Sequence, residues 1–175
     1  VQVVADAAGQ GAAVAWVRNT VDEVIAAAPA LRGQAVEVTV FHARFAMVDR
    51  LAIERTVLAR FGRDGTPADR AGVVLASPVI EQSLDVDFDV LCTDLAPMDL
   101  IIQRAGRLRR HARMGRPVDR EELCLLAPEP VAAPDRNWLR RVLPGTAAVY
   151  RDPAVLWRTA RALEKHGAIS SPEHI

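Results

Sequence analysis

The chain has 175 residues, half of them hydrophobic, which is enough for one compact domain and a short extension. Its formal net charge is zero, which excludes a uniformly basic nucleic-acid-binding protein but allows a local basic stripe. No apolar run approaches the ~20 residues of a transmembrane helix, so we expect no membrane association.

The two cysteines, Cys92 and Cys124, are far apart in sequence and lie within apolar runs. No C-x-x-C motif or cysteine–histidine cluster is present, so we predict no metal site. Buried thiols are typical of a reducing compartment, and no secretory signal precedes the domain, so we expect a cytoplasmic protein. The chain starts and stops within patterned sequence, and we expect it to be one domain of a longer protein.

The first part of the chain predicts two strands, each followed by a helix. A buried strand spans residues 13–18, and the helix after it begins with acidic residues and ends at Pro29. An alternating strand then runs through Phe41. Residues 47–61 predict a second helix. Its apolar spacing is formed by Val48, Leu51, Leu58 and Phe61.

The remaining sequence continues the alternation. Three further strands are predicted, at residues 72–77, 88–94 and 121–128. Pro97 favours the start of a helix, and the Pro-rich residues 127–135 predict a loop. A last helix follows, with Leu156, Ala160 and Leu163 on one face. Short apolar strands that alternate with helices predict an α/β protein with a parallel sheet and helices on both faces.

Residues 98–110, placed on a helix, have two opposed faces. The apolar face is formed by Ile101, Ala105 and Leu108. The opposite face presents an amide and two guanidinium groups, from Gln103, Arg107 and Arg110.

This polar face has two interpretations. Like charges on one helix face are destabilising unless an anion lies in front of them, and paired guanidinium groups bind phosphate oxygens in a bidentate manner. A polyphosphate would therefore suit the face. The alternative is a solvated surface whose arginines form scattered ion pairs, and the spacing alone does not separate the two.

The same residues carry a resemblance to a known family. Residues 103–110, QRAGRLRR, resemble motif VI of superfamily 2 helicases, and residues 77–89, SPVIEQSLDVDFD, resemble their motif V. Residues 79–111 as a whole resemble the CRISPR-associated nuclease–helicases of type I interference systems. Further segments resemble the entry to that family's second RecA-like domain, its motif IV region and the segment beyond motif VI, at residues 16–24, 40–62 and 149–173. The resemblance implies a RecA-like three-layer sandwich with a mainly parallel central sheet.

It also implies a nucleotide site between two RecA-like domains. Arg107 and Arg110 match the arginine fingers, which stabilise charge on the transferred phosphoryl group. Gln103 matches the glutamine near the γ-phosphate or the attacking water. Asp85 matches the motif V aspartate that contacts the ribose or couples to motif VI, and Gly106 suits close packing in the cleft.

Neighbouring charges are expected to support these residues. Arg104 points away from Gln103, so we expect it to pair with a motif V acid. The other acids of motif V either take part in its function or only balance the charge of nearby arginines. They are Glu81, Asp87 and Asp89. Three later arginines extend the basic run or form a solvated loop: Arg113, Arg116 and Arg120. Pro78 replaces the family's usual glutamine and so removes an amide and a backbone N–H from motif V.

A nucleic-acid contact is implied at three strand ends. Arg44 is a candidate for the single-stranded DNA backbone, and His42 beside it is a candidate contact or a packed loop residue. Asn19 and Thr20 are candidate phosphate donors, with helix capping as the alternative for Thr20. Ser77 occupies the place of a hydroxyl residue that can donate to a phosphate.

Several motifs of a complete helicase are missing. The only lysine, Lys165, lies in EKHG, so the sequence has no G-x-x-x-x-G-K-[ST] loop. No D-E-x-H or D-E-x-D box and no H-D dipeptide is present either. We therefore predict that ATP and Mg²⁺ are bound mainly by a first RecA-like domain outside this chain, and that the chain alone is inactive.

The resemblance implies the C-terminal motor half of an ATP-dependent single-stranded DNA translocase in CRISPR interference. Its partners would be DNA, the first RecA-like domain, a nuclease domain and the surveillance complex. We expect the motor domain to span residues 1–128 and a linker with a helical extension to span 129–175. The alternatives are another superfamily 2 DNA or RNA helicase and a degenerate nucleic-acid-binding module without activity.

Overall fold

A single parallel sheet forms the centre of the molecule. The computed structural model describes residues 1–81, 84–119 and 121–169. Its five strands are β1 (Ala13–Val17), β2 (Val38–Phe41), β3 (Gly72–Ala76), β4 (Val90–Asp94) and β5 (Leu123–Leu126). They lie in the order β2-β3-β1-β4-β5, and every pairing is parallel. The predicted α/β fold of the RecA-like kind is confirmed.

Eight α-helices accompany the sheet in the described ranges. They are α1 (Gln2–Gly9), α2 (Val21–Arg32), α3 (Met47–Phe61), α4 (Pro67–Arg70), α5 (Met98–Ala105), α6 (Trp138–Val142), α7 (Pro144–Val149) and α8 (Pro153–His166). A 3₁₀ turn covers Pro78–Glu81. None of the helices in these ranges has the length and apolarity needed to cross a bilayer.

Two predicted helix ends were wrong. Pro29 lies inside α2 rather than at its end, and the helix continues to Arg32, where buried Leu31 anchors its last turn in the core. The helix predicted for residues 98–110 ends at Ala105. The residues after it form a turn and then a single bridge to a neighbouring segment, as described below.

Alternate residues of the central strands supply the two faces of the sheet. On one face, Val14 and Trp16 pack with α1 and α2 through small residues such as Ala27. On the other face, Ala13 and Ala15 pack with α3. The central strands are buried on both faces, which is why they appear in sequence as continuous apolar runs.

Helix α3 packs through a different face from the predicted one. Val57 and Phe61 are buried, and Ile53 packs beside them. Val48 is 73% exposed, Leu51 is 43% exposed and Leu58 is 37% exposed, so the predicted apolar face was wrong for these three residues.

The helices after residue 137 form a core of their own against the edge of the sheet. Trp138, Leu143 and Leu156 pack on Leu95, which directly follows β4. The apolar face predicted for α8 is confirmed for Leu156 and Ala160, which are buried.

Cys92 and Cys124 are directly opposite each other in the β4–β5 pairing. Cys92 is buried and Cys124 is half-buried, and both are free thiols. Burial together with the neighbouring thiol raises the pKa of Cys92 to about 12, so its thiol is protonated at neutral pH.

Candidate nucleotide and nucleic-acid site

Polar residues collect at the carboxyl edge of the sheet, where parallel α/β proteins bind ligands. Asn19 follows β1, His42 follows β2 and Ser77 follows β3. All three are buried. Strand β1 lies between β3 and β4, so the connection from β3 to β4 crosses from one half of the sheet to the other. The carboxyl ends of these strands therefore form a topological switch point.

Helix α5 begins after Pro97 and ends at Ala105, with Gly106 as its C-cap residue, and a turn follows. The amide of Phe88 donates to the carbonyl of Arg107 at 2.9 Å, and the amide of Arg109 donates to the carbonyl of Phe88 at 2.8 Å. This short parallel bridge turns Leu108 towards the core. Arg107 is therefore presented from the turn after α5, and Arg110 from the irregular segment beyond the bridge, rather than from a helix face.

Arg107 is half-buried and only partly satisfied. Its Nη2 donates to the carbonyl of Glu81 at 3.2 Å. Its Nε is buried and has no hydrogen-bond partner among the described residues. Burial lowers the pKa of Arg107 from its ordinary value, and the neighbouring Arg110 acts in the same direction. An anion beside the two guanidinium groups would offset this effect.

Arg110 pairs with Asp85 across the two motifs. Its Nε donates to Oδ1 of Asp85 at 2.7 Å, and His111 Nε2 lies 3.3 Å from the same oxygen. The side chains of Arg110 and Asp85 are 44% and 54% exposed. The hydrogen bond from Arg110 lowers the pKa of Asp85. The Asp85 carboxylate is therefore ionised at neutral pH, and both groups remain accessible.

Gln103 and Gly106 are exposed on the same side of the chain. Gly106 has an ordinary helical backbone conformation, with φ −63° and ψ −1°. A Cβ atom added there would meet only the carbonyls of Gln103 and Ile102, each at 3.5 Å, which is normal contact. The described part of the chain therefore gives no reason for glycine at this position.

Arg104 is the buried centre of the site, with 1% of its surface exposed. Its Nε donates to Oε1 of Glu81 at 2.7 Å, and its Nη1 donates to Oγ1 of Thr93 at 2.6 Å. Its Nη2 donates to Oδ1 of Asn19 at 3.0 Å. The expected pairing with a motif V acid is confirmed, and the acid is Glu81.

The last two acids of motif V, Asp87 and Asp89, form a second cluster of ion pairs with arginines. Arg113 Nε donates to Asp87 at 2.6 Å, and Arg116 Nη2 donates to Asp87 at 3.0 Å. Arg70 lies 3.1 Å from Asp89, which also accepts from Arg116. The proposed role of Asp87 and Asp89 as acids that balance arginines is confirmed. Arg113 and Arg116 form neither a solvated loop nor a free basic surface, and both expectations were wrong for them.

One residue of these clusters, Arg70, was not indicated by the sequence. It lies at the end of α4, and its partners are 17 and 19 residues away. Arg120, which was grouped with Arg113 and Arg116, lies outside the described residues.

The candidate nucleic-acid residues separate into exposed and interior positions. Arg44 is exposed and pairs with Asp22, which is also exposed. His42 is 8% exposed and stacks on Phe45, with ring centroids 4.1 Å apart, and its Nδ1 has no hydrogen-bond partner among the described residues. Burial lowers the pKa of His42, so the imidazole is neutral at pH 7.

The remaining candidates take internal roles. Thr20 caps α2, since its Oγ1 accepts from the amide of Glu23 at 3.2 Å. Asn19 is 5% exposed and its amide is used in internal hydrogen bonds. Ser77 is 3% exposed. Thr20 thus has the capping role that was its alternative, Asn19 uses its side-chain amide internally, and the role of the two residues as phosphate donors stays a prediction.

The chain matches a family model described as CRISPR-associated nuclease/helicase Cas3, C-terminal, over residues 10–113. It is 36% identical over 162 residues to the CRISPR-associated endonuclease/helicase Cas3 of Escherichia coli, which covers 91% of this chain and 17% of that protein. It is 53% identical over 76 residues to the Thermus thermophilus protein of the same description, which covers 43% of this chain and 8% of that protein.

Solved structures show the same fold. The crystal structure of T. fusca Cas3 with ATP superposes with a TM-score of 0.82 at 32% identity, over 99% of this chain and 20% of that one. A structure described as a CRISPR RNA-guided surveillance complex, pre-nicking, superposes with a TM-score of 0.75 at 32% identity, over 92% of this chain and 20% of that one. The chain thus spans about a fifth of the length of these relatives.

Proposed function

We propose a function on the premise that the chain belongs to the CRISPR-associated nuclease/helicase Cas3 C-terminal family, whose model matches residues 10–113. Within a longer parent protein, this chain would be the second RecA-like half of an ATP-dependent motor on single-stranded DNA. Residues 1–128 would form the motor domain, and residues 129–175 would form a linker and helical extension.

The presentation of Arg107 and Arg110 carries this proposal. Arg107 lies in the turn after α5, and Arg110 lies just beyond the isolated bridge at Leu108. Gln103 and Gly106 are exposed in the same stretch of chain. Arg107 is half-buried and its Nη2 donates to the Glu81 carbonyl at 3.2 Å, and the partly exposed ion pair of Arg110 with Asp85 is of the weak, screened kind. A triphosphate held by the first RecA-like domain would meet both groups. They would then stabilise the charge that develops during phosphoryl transfer, which for one finger is worth ~10³-fold or more in rate.

Exposed Gly106 supports the same placement. No contact in the described chain requires glycine there, so the absence of a side chain is best explained by a group that approaches from outside. A nucleotide in the cleft between the two domains is such a group. Gln103, one turn earlier and also exposed, would orient the attacking water or the γ-phosphate.

Mg²⁺ and most nucleotide contacts would be supplied by the missing domain. The described residues contain no cluster of three or more His, Cys, Asp or Glu side chains suited to a metal ion. The sequence also lacks a phosphate-binding loop. We therefore expect no ATP hydrolysis by this chain alone.

Single-stranded DNA would cross the carboxyl edge near β2. Arg44 is exposed there, and its ion pair with Asp22 is on the surface, so a phosphate can replace the carboxylate at little cost. Neutral, buried His42 would support this edge by packing on Phe45 rather than contribute charge. In the cytoplasm, the parent would act with its nuclease domain and with the CRISPR surveillance complex.

The experiment is ATP hydrolysis by the full parent chain without nucleic acid, with single-stranded DNA and with single-stranded RNA. We expect stimulation by DNA and a loss of hydrolysis in the Arg107→Ala variant. Stimulation by RNA alone would favour another superfamily 2 helicase. Absence of hydrolysis under every condition would leave a nucleic-acid-binding module and overturn the motor function.

A further inference from the structure

Hydrogen bonds at both ends of Arg104, one at its guanidinium group and one at its backbone carbonyl, connect helix α7 with the turn that carries Arg107. Asn19 Nδ2 donates to Oγ1 of Thr146 at 2.9 Å. Arg104 Nη2 donates to Oδ1 of the same Asn19 at 3.0 Å. The amide of Arg107 donates to the carbonyl of Arg104 at 2.9 Å. Four residues from three distant parts of the sequence are therefore linked, and the last of them is the candidate arginine finger.

The three linked side chains are buried, and their polar groups are used in hydrogen bonds. Arg104 is 1% exposed, Asn19 is 5% exposed and Thr146 is fully buried. The second Asn19 amide hydrogen goes to the carbonyl of Leu95 at 2.8 Å. Losing the Thr146 hydroxyl would leave an amide hydrogen unpaired in the interior, which is costly enough for Asn19 and Arg104 to shift.

Two further contacts connect the α7 region with the site, one at Gly145 and one at Tyr150. A Cβ atom on Gly145 would come within 2.6 Å of the Glu23 carboxylate, so glycine allows α7 to approach α2 closely. Burial raises the pKa of Tyr150, just after α7, whereas the adjacent Arg104 guanidinium acts to lower it. Tyr150 therefore lies beside Arg104 as well.

We propose that Thr146 and Asn19 are positioning residues, through which the α6–α8 helical unit sets the orientation of Arg104 and hence of Arg107. The inference rests on the proposed role of Arg107 as a finger. Movement of the helical unit, by load on DNA or by contact with a partner, would be transmitted to the rate of ATP hydrolysis. The α6–α8 unit would thus act on the motor rather than serve only as a linker.

Variants of Thr146 in the full parent chain test this link. Thr146→Val keeps the shape but removes the hydroxyl, and Thr146→Ser keeps the hydroxyl. Thr159→Val is the matched control. Thr159 is only 4% exposed, lies in α8 of the same helical unit and takes no part in the hydrogen bonds that link Thr146 to Arg104. We expect Thr146→Val to lower the DNA-stimulated kcat by about tenfold with KM for ATP unchanged, since one buried hydrogen bond that matters in the transition state is lost. Thr146→Ser and Thr159→Val should stay near the wild-type kcat.

A double-mutant comparison separates positioning from a merely structural effect. In an Arg107→Lys background, the finger is already impaired, so adding Thr146→Val should lower kcat much less than it does in the wild type. An equal decrease in both backgrounds would overturn the inference. If Thr146→Val does not fold, Tyr150→Phe tests the other contact between the helical unit and Arg104. An unchanged kcat in that variant would also overturn the inference.

The two proposals fail differently. A wild-type parent that does not hydrolyse ATP under any condition refutes the motor function itself. A wild-type parent that is active and depends on Arg107, but is indifferent to the loss of the Thr146 hydroxyl, refutes only the positioning role.

Discussion

Arg110 and Asp85 are 25 residues apart in sequence, yet Nε of the arginine lies 2.7 Å from Oδ1 of the carboxylate. The pair joins the segment after the 3₁₀ turn to the segment after α5. Both side chains are about half exposed, so the pair orients Arg110 without removing it from solvent. An oriented but accessible guanidinium group is the arrangement that a phosphoryl-transfer finger requires.

Asp85→Asn should therefore slow ATP hydrolysis by the parent chain. The amide keeps the shape but loses the charge that orients Arg110, and we expect kcat to fall by about two- to fivefold, because an exposed ion pair is worth at most about 1 kcal/mol. Steady-state kinetics would measure this. Asp49→Asn, an exposed change on α3, is the control, and equal kcat values for both variants would contradict the role of Asp85.

Gly106→Ala should separate folding from function. A methyl group there makes only ordinary contacts within the described chain, and alanine favours the helical conformation. We expect the melting temperature to be unchanged or slightly higher, while KM for ATP rises or kcat falls about tenfold or more from crowding of the nucleotide. Thermal melting and ATPase kinetics on the same preparation measure both. Wild-type kinetics would show that no ligand approaches this position.

The Asp87 cluster should determine stability rather than catalysis. Asp87 is fully buried between Arg113 and Arg116, so Asp87→Ala would leave guanidinium groups uncompensated in the interior. Breaking such a pair costs about 3–5 kcal/mol of unfolding free energy. Chemical denaturation would measure the loss. Asp64→Asn, in an exposed turn nearby, should change the unfolding free energy by less than about 0.5 kcal/mol.

Stability should also depend on pH through Asp87. Burial acts to raise its pKa, but hydrogen bonds from Arg116, Arg113 and the His111 amide outweigh burial and lower it. A carboxyl group whose pKa is lowered by folding stabilises the protein above its unfolded pKa of about 3.9, and that stabilisation is lost as the pH falls through the lower folded value. The melting temperature of the wild type should thus drop below about pH 4, and the drop should be smaller in Asp87→Ala. Identical pH profiles would argue against this assignment.

Arg44→Ala should weaken binding of single-stranded DNA by the parent chain. One phosphate contact is lost, so the slope of log K against log salt should become shallower by about 0.7. Fluorescence anisotropy at several salt concentrations gives the slope. Arg55→Ala, an exposed arginine on α3, is the matched control, and the same slope in both variants would place the DNA elsewhere.

The sequence predicted the centre of the sheet well because β1, β3 and β4 are buried on both faces. Val73, Val74 and Leu75, for example, are fully buried in β3, and such uninterrupted apolar runs are distinctive. Helix α5 was extended too far because Leu108 continues the apolar spacing of Ile101. The structure uses Leu108 in a bridge to Phe88, and periodicity alone cannot distinguish a buried helical residue from a buried extended one.

The contacts within the site could not be predicted from local sequence pattern, because they join residues that are far apart in the sequence. The resemblance of residues 79–111 pointed to Arg107 and Arg110, and their roles as fingers remain predictions. Asn19 was predicted to face a ligand because it follows a strand, but Thr146, 127 residues later, covers its amide. No local feature of the sequence indicates such a contact, and Arg70 was missed for the same reason.

The most direct test of the central claim is the rate of ATP hydrolysis by the full parent chain with saturating single-stranded DNA, compared between the wild type and Arg107→Ala. The finger role predicts a decrease of about 10³-fold in kcat, with ATP binding retained. Wild-type hydrolysis that does not change when Arg107 is replaced would contradict it.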